Sequence, residues 1–138
     1  MPRCPQCHAP GCEERFHAFL ALEYVDARYG AVHHLTVTAY MLQHPDKLSE
    51  DGWRAMRDTL RAFLVQGRTP REHRARIRND VNSANRDWRL KKGPRLVLPA
   101  GFRWSQTIDA IDDATPDHYC RDVEAWARAV LADAETVE

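Results

Sequence analysis

The sequence predicts an all-α fold, a single-domain helical bundle of about five helices with a cysteine-rich knuckle at its N-terminus. Three observations support this prediction. Apolar residues recur at three- and four-residue spacing in several segments, which is the pattern of an amphipathic helix. Ser or Thr stands at the expected N-cap of three segments. The chain has 138 residues, 43% hydrophobic and 29% charged, a composition typical of one globular domain with a buried core.

The first half of the chain begins with an irregular stretch and continues into helices. Residues 1–12 are rich in Pro, Cys and Gly, which predicts a knuckle without regular structure. Apolar spacing predicts a helix over 13–25, and 26–30 has the composition of a turn. Length and spacing then predict a second helix over 31–43, which ends because Pro45 cannot continue it.

Capping residues place the remaining helices. Ser49 is a suitable N-cap for a third helix, and Gly67 ends it. Thr69, followed by Pro, opens a fourth helix that has few apolar residues and is therefore mostly solvated. The Gly- and Pro-rich stretch 92–102 predicts a loop, after which a helical turn is expected before the last helix. Thr115, again followed by Pro, opens that last helix.

We expect one domain over residues 1–138. Within it, 1–12 forms the knuckle, 13–66 and 115–134 supply the helical core, and 68–105 is a basic and partly irregular segment. The sequence contains no internal repeat and no low-complexity stretch.

The formal net charge of +0 hides an uneven distribution of charge. Residues 68–95 hold ten Lys and Arg against three acidic residues, whereas 109–138 holds nine Asp and Glu against two Arg. Such segments are usually solvated faces. The basic segment also allows a nucleic-acid interface, but its one aromatic residue, Trp88, does not supply the series of stacking platforms that single strands need.

The cysteines and the N-terminus indicate the compartment. No apolar run approaches the roughly 20 residues of a membrane span, so we expect no membrane association. The first residues are not followed by an apolar run, which predicts the absence of a signal peptide. Three of the four cysteines lie within nine residues, whereas small secreted proteins spread theirs to cross-link distant segments. A reducing, cytoplasmic environment is therefore predicted.

The crowded cysteines are candidate metal ligands. Cys4 and Cys7 form a Cys-x-x-Cys element, whose tight turn brings two sulfurs towards one point, and Cys12 follows after four residues. Structural zinc takes four ligands, so a histidine must complete the set. The candidates are His8, His17, His33, His34 and His44. Reduced thiols or a redox pair are the alternatives, and an iron–sulfur cluster would need a fourth cysteine, for which Cys120 is distant in sequence.

Helix geometry separates two of these histidines. His33 and His44 are eleven residues apart, close to three turns, so they share a face of the predicted helix but stand about 16 Å apart along it. One zinc ion cannot bind both if the helix is straight. His44 precedes Pro45, a position that suits a capping residue at a helix C-terminus as well as a ligand or an acid/base group.

Segment 32–45, Val-His-His-Leu-Thr-Val-Thr-Ala-Tyr-Met-Leu-Gln-His-Pro, follows an N-terminal Cys-x-x-Cys and a third cysteine. In this it resembles an uncharacterised family of small bacterial proteins of unknown function. The resemblance covers roughly the first 45 residues and extends loosely into the last helix, to His118, whereas 68–105 has no counterpart. It implies a metal site and no particular reaction.

The same resemblance informs the choice of histidine. The family often has Arg after the first histidine, which implies His33 rather than His34 as the shared ligand. Other members of the family commonly have Asp where this chain has Thr38. This chain therefore lacks the carboxylate that would bind a metal or act as a base at that position. The predicted site is one zinc ion bound by Cys4, Cys7, Cys12 and His33.

The function predicted from the sequence is that of a small cytoplasmic zinc protein whose structural Cys3His site supports an interaction module with an unidentified protein partner. Three thiolates donate enough charge to blunt the Lewis acidity of zinc, which favours a structural ion over a catalytic one. One alternative is a metal-dependent hydrolase with an open metal position and acid/base groups drawn from His44, Tyr40 and His118. The other is nucleic-acid binding through 68–95. Whether the protein is an enzyme stays open at this point.

Overall fold

The structure, a computed structural model, describes residues 2–80 and 93–137, and these residues form six α-helices. The helices are α1 (Cys12–Val25), α2 (Ala27–Gly30), α3 (His33–Leu42), α4 (Glu50–Leu64), α5 (Pro70–Asp80) and α6 (Pro116–Ala134). Two short 3-10 turns occupy Pro45–Lys47 and Ile108–Ala110. The described residues contain isolated β-bridges but no strand. The predicted all-α fold is confirmed.

The boundaries differ from the predicted ones in three places. The stretch 26–30, predicted as a turn, contains the one-turn helix α2, because the Asp26 side chain accepts a hydrogen bond from the backbone N–H of Arg28 at 3.0 Å. The helix predicted over 31–43 is shorter at both ends. The helical turn expected after the loop is a single 3-10 turn.

None of the described helices has the length and apolar character needed to cross a bilayer.

The predicted caps open the helices as expected. Ser49 Oγ accepts a hydrogen bond from the backbone N–H of Gly52 at 2.9 Å, and Thr115 Oγ1 accepts one from His118 at 3.2 Å. Thr69 and Glu72 form a reciprocal capping box, in which each side chain accepts from the other residue's backbone N–H at 3.1 Å. These local bonds satisfy N–H groups that a helix start leaves without a partner.

The core forms where α3 packs against α4 and α6. Two buried tryptophans anchor it, and each indole N–H has an acceptor: Trp53 donates to the backbone carbonyl of Leu42 at 2.9 Å, and Trp126 donates to the Gln43 side chain at 3.2 Å. Trp104 is buried as well, but its indole N–H has no hydrogen-bond partner among the described residues, and Trp88 lies outside them. Large side chains that pair their polar atoms in this way add apolar contact without an unmet hydrogen bond.

Helices α1 and α3 form an antiparallel hairpin, and this hairpin positions the polar side chains at both of its ends. Three contacts define its register: Cys12 with His44, Phe16 with Tyr40, and Glu23 with His33. In each pair the two residue numbers have the same sum, as they must when two helices run in opposite directions. The N-terminal end of α1 therefore lies beside the C-terminal end of α3, and the other two ends also meet.

Candidate metal centre

The N-terminal knuckle folds back on itself before α1 begins. The backbone N–H of Cys4 donates to the carbonyl of Ala9 at 3.0 Å, and that of His8 donates to Cys4 at 2.8 Å. Two residues in the left-handed region make the reversal, His8 with φ 68° and Gly11 with φ 61°. A glycine adopts this conformation without the steric penalty that a Cβ brings. The fold-back brings Cys4 and Cys7 to the start of α1, where Cys12 lies.

Four side chains converge at this point: Cys4, Cys7, Cys12 and His44. Their ligand atoms all lie within 4.8 Å of one another, and the sulfur of Cys12 is 3.4 Å from Nε2 of His44. Cys7, Cys12 and His44 are buried, and all the cysteines are free thiols. A tetrahedral zinc ion holds its sulfur and nitrogen ligands about 3.3 to 3.8 Å apart, given bonds of roughly 2.0 to 2.3 Å. The group therefore has the composition and nearly the spacing of a Cys3His metal site.

The imidazole of His44 is held in one orientation. A backbone carbonyl can only accept, so the 2.6 Å contact between Nδ1 of His44 and the carbonyl of Tyr40 places the ring proton on Nδ1. Nε2 is then the nitrogen that faces Cys12. The ring also stacks on Tyr40 at 4.1 Å between centroids, and Tyr40 stacks on Phe16 at 3.8 Å. Outer contacts of this kind orient a histidine for metal binding.

The electrostatics of the cluster favour a bound cation. Burial raises the pKa of the Cys7 and Cys12 thiols, and the neighbouring sulfurs add to the shift. Burial opposes ionisation of Cys4 too, but the backbone N–H groups of Cys7 and Gln6 lower its pKa below the ordinary value. Burial lowers the pKa of His44, which keeps the ring neutral, as ligation requires. Three sulfurs this close, two of them buried, ionise together only beside a positive charge.

Comparison with protein families places the chain. Residues 2–135 match one family, described as a family of unknown function, DUF5946. The chain belongs to the DUF5946 family. Comparison with curated proteins and comparison with solved structures each give no match. The match spans nearly the whole chain, so both the cysteine cluster and the helical core of this DUF5946 protein lie within it, and the predicted membership of an uncharacterised family is confirmed.

The structure corrects the predicted fourth ligand, because it brings His44 and not His33 to the three cysteines. His33 is at the opposite end of α3, where its Nδ1 lies 2.7 Å from a carboxylate oxygen of Glu23. The other candidate histidines also have different neighbours. His34 packs edge-on against Phe63, His17 is exposed on α1, and His8 contacts Arg103.

The acid/base groups of the hydrolase alternative do not share a cleft in the described part of the chain. His118 is exposed in the first turn of α6, and its Nδ1 lies 3.3 Å from a carboxylate oxygen of Asp112. His44 and Tyr40 are buried in the ring stack beside the cysteines. Cys120 donates its S–H to the carbonyl of Arg28 at 3.2 Å, and burial raises the pKa of this thiol.

Sequence reasoning also missed Glu23, a buried carboxylate in the middle of the molecule. Its two oxygens accept hydrogen bonds from Thr36, Tyr119 and His33. The apolar periodicity of α1 indicates which face of the helix is buried, but it does not distinguish a glutamate at the edge of that face from a solvated one. The register of the α1–α3 hairpin would have placed Glu23 opposite His33.

Proposed function

We propose that this DUF5946 protein binds one zinc ion through Cys4, Cys7, Cys12 and His44 and that the ion stabilises the fold. The observation that supports this proposal is the convergence of three thiols and one oriented imidazole on a common point. Sulfur and imidazole nitrogen are the ligands that structural zinc prefers, and a set of four fills its tetrahedral shell. When bound, the ion would supply positive charge that stabilises the thiolates.

A structural role fits the position of the site. The cluster joins three parts of the chain: the knuckle, the start of α1 and the segment just after the end of α3. The knuckle contributes only small side chains to the core, among them Cys7 and Ala9. Apolar burial therefore fixes it weakly, and metal coordination would contribute a large share of the free energy that holds it in place.

The second part of the proposal is that the folded protein has a binding role rather than a catalytic one. We expect its partner to be a protein, in a reducing, cytoplasmic compartment. The four-ligand set leaves no open position at which a metal would activate water. His118, one of the acid/base candidates of the hydrolase alternative, lies apart from the other two, in contact with Asp112. Nucleic-acid binding through 68–95 has the exposed arginines of α5 and the exposed Arg95 in its favour among the described residues, and 81–92 lies outside them.

The zinc proposal is tested by metal content and thermal stability, measured together. We expect about one zinc ion per purified chain. Cys4→Ser and His44→Ala should lose most of the metal and lower the Tm by about 10 °C or more, since structural zinc contributes several kcal/mol to folding. Cys120→Ser and His33→Gln are the matched controls and should keep the ion. A protein that is metal-free at full stability would refute the proposal, and iron or copper in place of zinc would correct the identity of the metal.

A further inference from the structure

A second polar centre lies at the opposite end of the α1–α3 hairpin from the cysteines. The side chain of Glu23 is only 2% exposed, and three hydrogen-bond donors surround its carboxylate. One oxygen accepts from His33 Nδ1 at 2.7 Å, and the other accepts from Thr36 Oγ1 at 2.7 Å and from the hydroxyl of Tyr119. A buried carboxylate needs such partners to offset the loss of water.

The bond to Glu23 fixes His33 and leaves the other edge of its ring to solvent. The His33 side chain is 57% exposed, and within the described residues its ring has no hydrogen bond other than the one at Nδ1. Nε2 is therefore the nitrogen that can meet a ligand. A carboxylate that holds one ring nitrogen so that the other faces outward is a recurring arrangement in binding and catalytic sites. The structural need of Glu23 for donors does not require an exposed histidine, because Thr36 and Tyr119 already supply two.

This histidine lines a cavity of about 790 Å³ between α1, the start of α3 and the start of α5. The volume falls within the range of about 300 to 1,000 Å³ that small-molecule sites occupy. Leu20 and Tyr24 of α1 and Pro70 of α5 give the cavity an apolar wall, and Tyr24 is 92% exposed. Its polar groups are His33, His34, Glu23 and Arg74.

Arg74 gives the cavity an exposed positive charge, which favours an anion there. It belongs to α5, a helix with several arginines, whereas the side chain of Glu23 is only 2% exposed and its oxygens already accept from three donors. The guanidinium keeps its charge at all relevant pH values and binds carboxylate or phosphate oxygens in pairs. Burial lowers the pKa of His34, which leaves this second imidazole neutral and able to donate one hydrogen bond.

We propose that this cavity binds a small molecule that carries an oxyanion, a carboxylate or a phosphate, beside an apolar group. Arg74 donates to the oxyanion, Nε2–H of His33 in its doubly protonated form donates to an oxygen of the ligand, and the apolar group packs on Leu20 and Tyr24. Glu23 acts as a positioning residue, because it touches His33 and sets the direction of the ring. The site is separate from the cysteine cluster, so this proposal does not depend on zinc binding.

The binding experiment uses phenyl phosphate and benzoate as probes, with inorganic phosphate and benzyl alcohol as reference compounds. Isothermal titration of the full chain as purified is run at low salt and mildly acidic pH. We expect both probes to bind more tightly than either reference compound. Arg74→Gln should weaken binding about tenfold, which corresponds to one charge-assisted contact. Arg71→Gln, an exposed arginine of the same helix that does not line the cavity, should change it less than twofold.

The histidine is tested in the same way. His33→Gln should weaken binding of phenyl phosphate severalfold, whereas His17→Gln, on the exposed face of α1, should leave it unchanged. Nitrogen-15 NMR of the imidazoles should show the His33 Nε2 signal move on titration, and Glu23→Gln should alter the His33 tautomer signature and weaken binding. A structural role for Glu23 would change stability without moving this signal.

Several results would overturn the proposal. It fails if no probe binds, if the Arg74 and Arg71 variants lose affinity equally, or if inorganic phosphate binds as well as phenyl phosphate. It also fails if the probes do not bind while a short single-stranded oligonucleotide binds and loses affinity equally in both arginine variants, since that pattern describes a nucleic-acid surface. Zinc content is measured in every variant and is expected to stay at the wild-type value, so failure here and failure of the zinc proposal are distinguishable.

Discussion

Tyr119→Phe removes one of the three donors to the buried carboxylate of Glu23 and tests how tightly this centre is held. The Tyr119 ring has no exposed area and packs between Phe19, at 5.1 Å between centroids, and Tyr29, at 5.2 Å. Phenylalanine preserves that packing. Burial raises the pKa of the Tyr119 hydroxyl, with the bond to Glu23 as the next cause, so this group is the donor and the carboxylate the acceptor.

The magnitude follows from the acceptor. A hydrogen bond to a charged group contributes roughly 1.5 to 3 kcal/mol, and the carboxylate is left with two donors on a side chain that is only 2% exposed. We therefore expect Tyr119→Phe to lower the free energy of unfolding by about 2 kcal/mol and the Tm by about 6 °C. Urea unfolding should show a lower midpoint with the same slope, because the surface exposed on unfolding does not change.

Tyr29→Phe is the matched control. The hydroxyl of Tyr29 donates to the backbone carbonyl of Asp113 at 2.9 Å, and a bond to a neutral acceptor contributes about 1 kcal/mol. If Tyr119→Phe costs no more than Tyr29→Phe, the hydroxyl does not stabilise a buried carboxylate, and the account of this centre is wrong.

Three further predictions follow from the same contacts. Gly30→Ala places a Cβ 2.8 Å from the backbone oxygen of Glu23, which forces α1 and α2 apart, and urea unfolding should show a loss of about 1 to 3 kcal/mol, whereas a neutral effect would contradict the close approach. Burial lowers the pKa of His34, and the charge of His33 adds to the shift, so the folded state favours the neutral ring. This contribution to stability is present above the ordinary histidine pKa of about 6.5 and is lost as the pH falls towards the folded-state pKa. The decline in the free energy of unfolding between about pH 7 and 5 should therefore be flatter in His34→Gln than in the wild type. Equal slopes would contradict a lowered pKa for His34. Metal should leave the cysteine cluster at a lower chelator concentration at about pH 5.5 than at pH 7.5, because protons compete for the thiolates, and release that is independent of pH would contradict thiolate ligation.

Local signals in the sequence predicted the helix starts and the cysteine cluster well. Ser49, Thr69 and Thr115 each accept from a backbone N–H three residues on, so the cap can be identified without knowledge of the fold. Cys4, Cys7 and Cys12 are close in space because they are close in sequence, so the cluster can be predicted without knowledge of the fold.

The fourth ligand could not be chosen from one helix alone. Helix geometry shows that His33 and His44 lie on one face about 16 Å apart, but it does not show which end of α3 meets the knuckle. The antiparallel pairing of α1 with α3 determines that, because Cys12 opens α1 and must lie beside the end of α3. The connection between these helices is short, so the hairpin and its register could have been inferred from the sequence.

The same missing step explains why the Glu23 centre was not predicted. Glu23 and Tyr119 are 96 residues apart, and only the packing of α6 on the hairpin brings them together. A buried carboxylate is recognised from its donors, which come here from two other helices, α3 and α6. The one-turn helix α2 was missed for a different reason, since a four-residue helix produces no periodicity and depends on the cap at Asp26.

X-ray absorption at the zinc edge of the purified protein tests the central claim most directly, because it counts the sulfur and nitrogen atoms bound to the metal. The account predicts three sulfur neighbours at about 2.3 Å and one nitrogen at about 2.0 Å. The remaining zinc in His44→Ala should lack this nitrogen, and the zinc in His33→Gln should keep it. A shell with two sulfurs, or a nitrogen that survives in His44→Ala and disappears in His33→Gln, would contradict it.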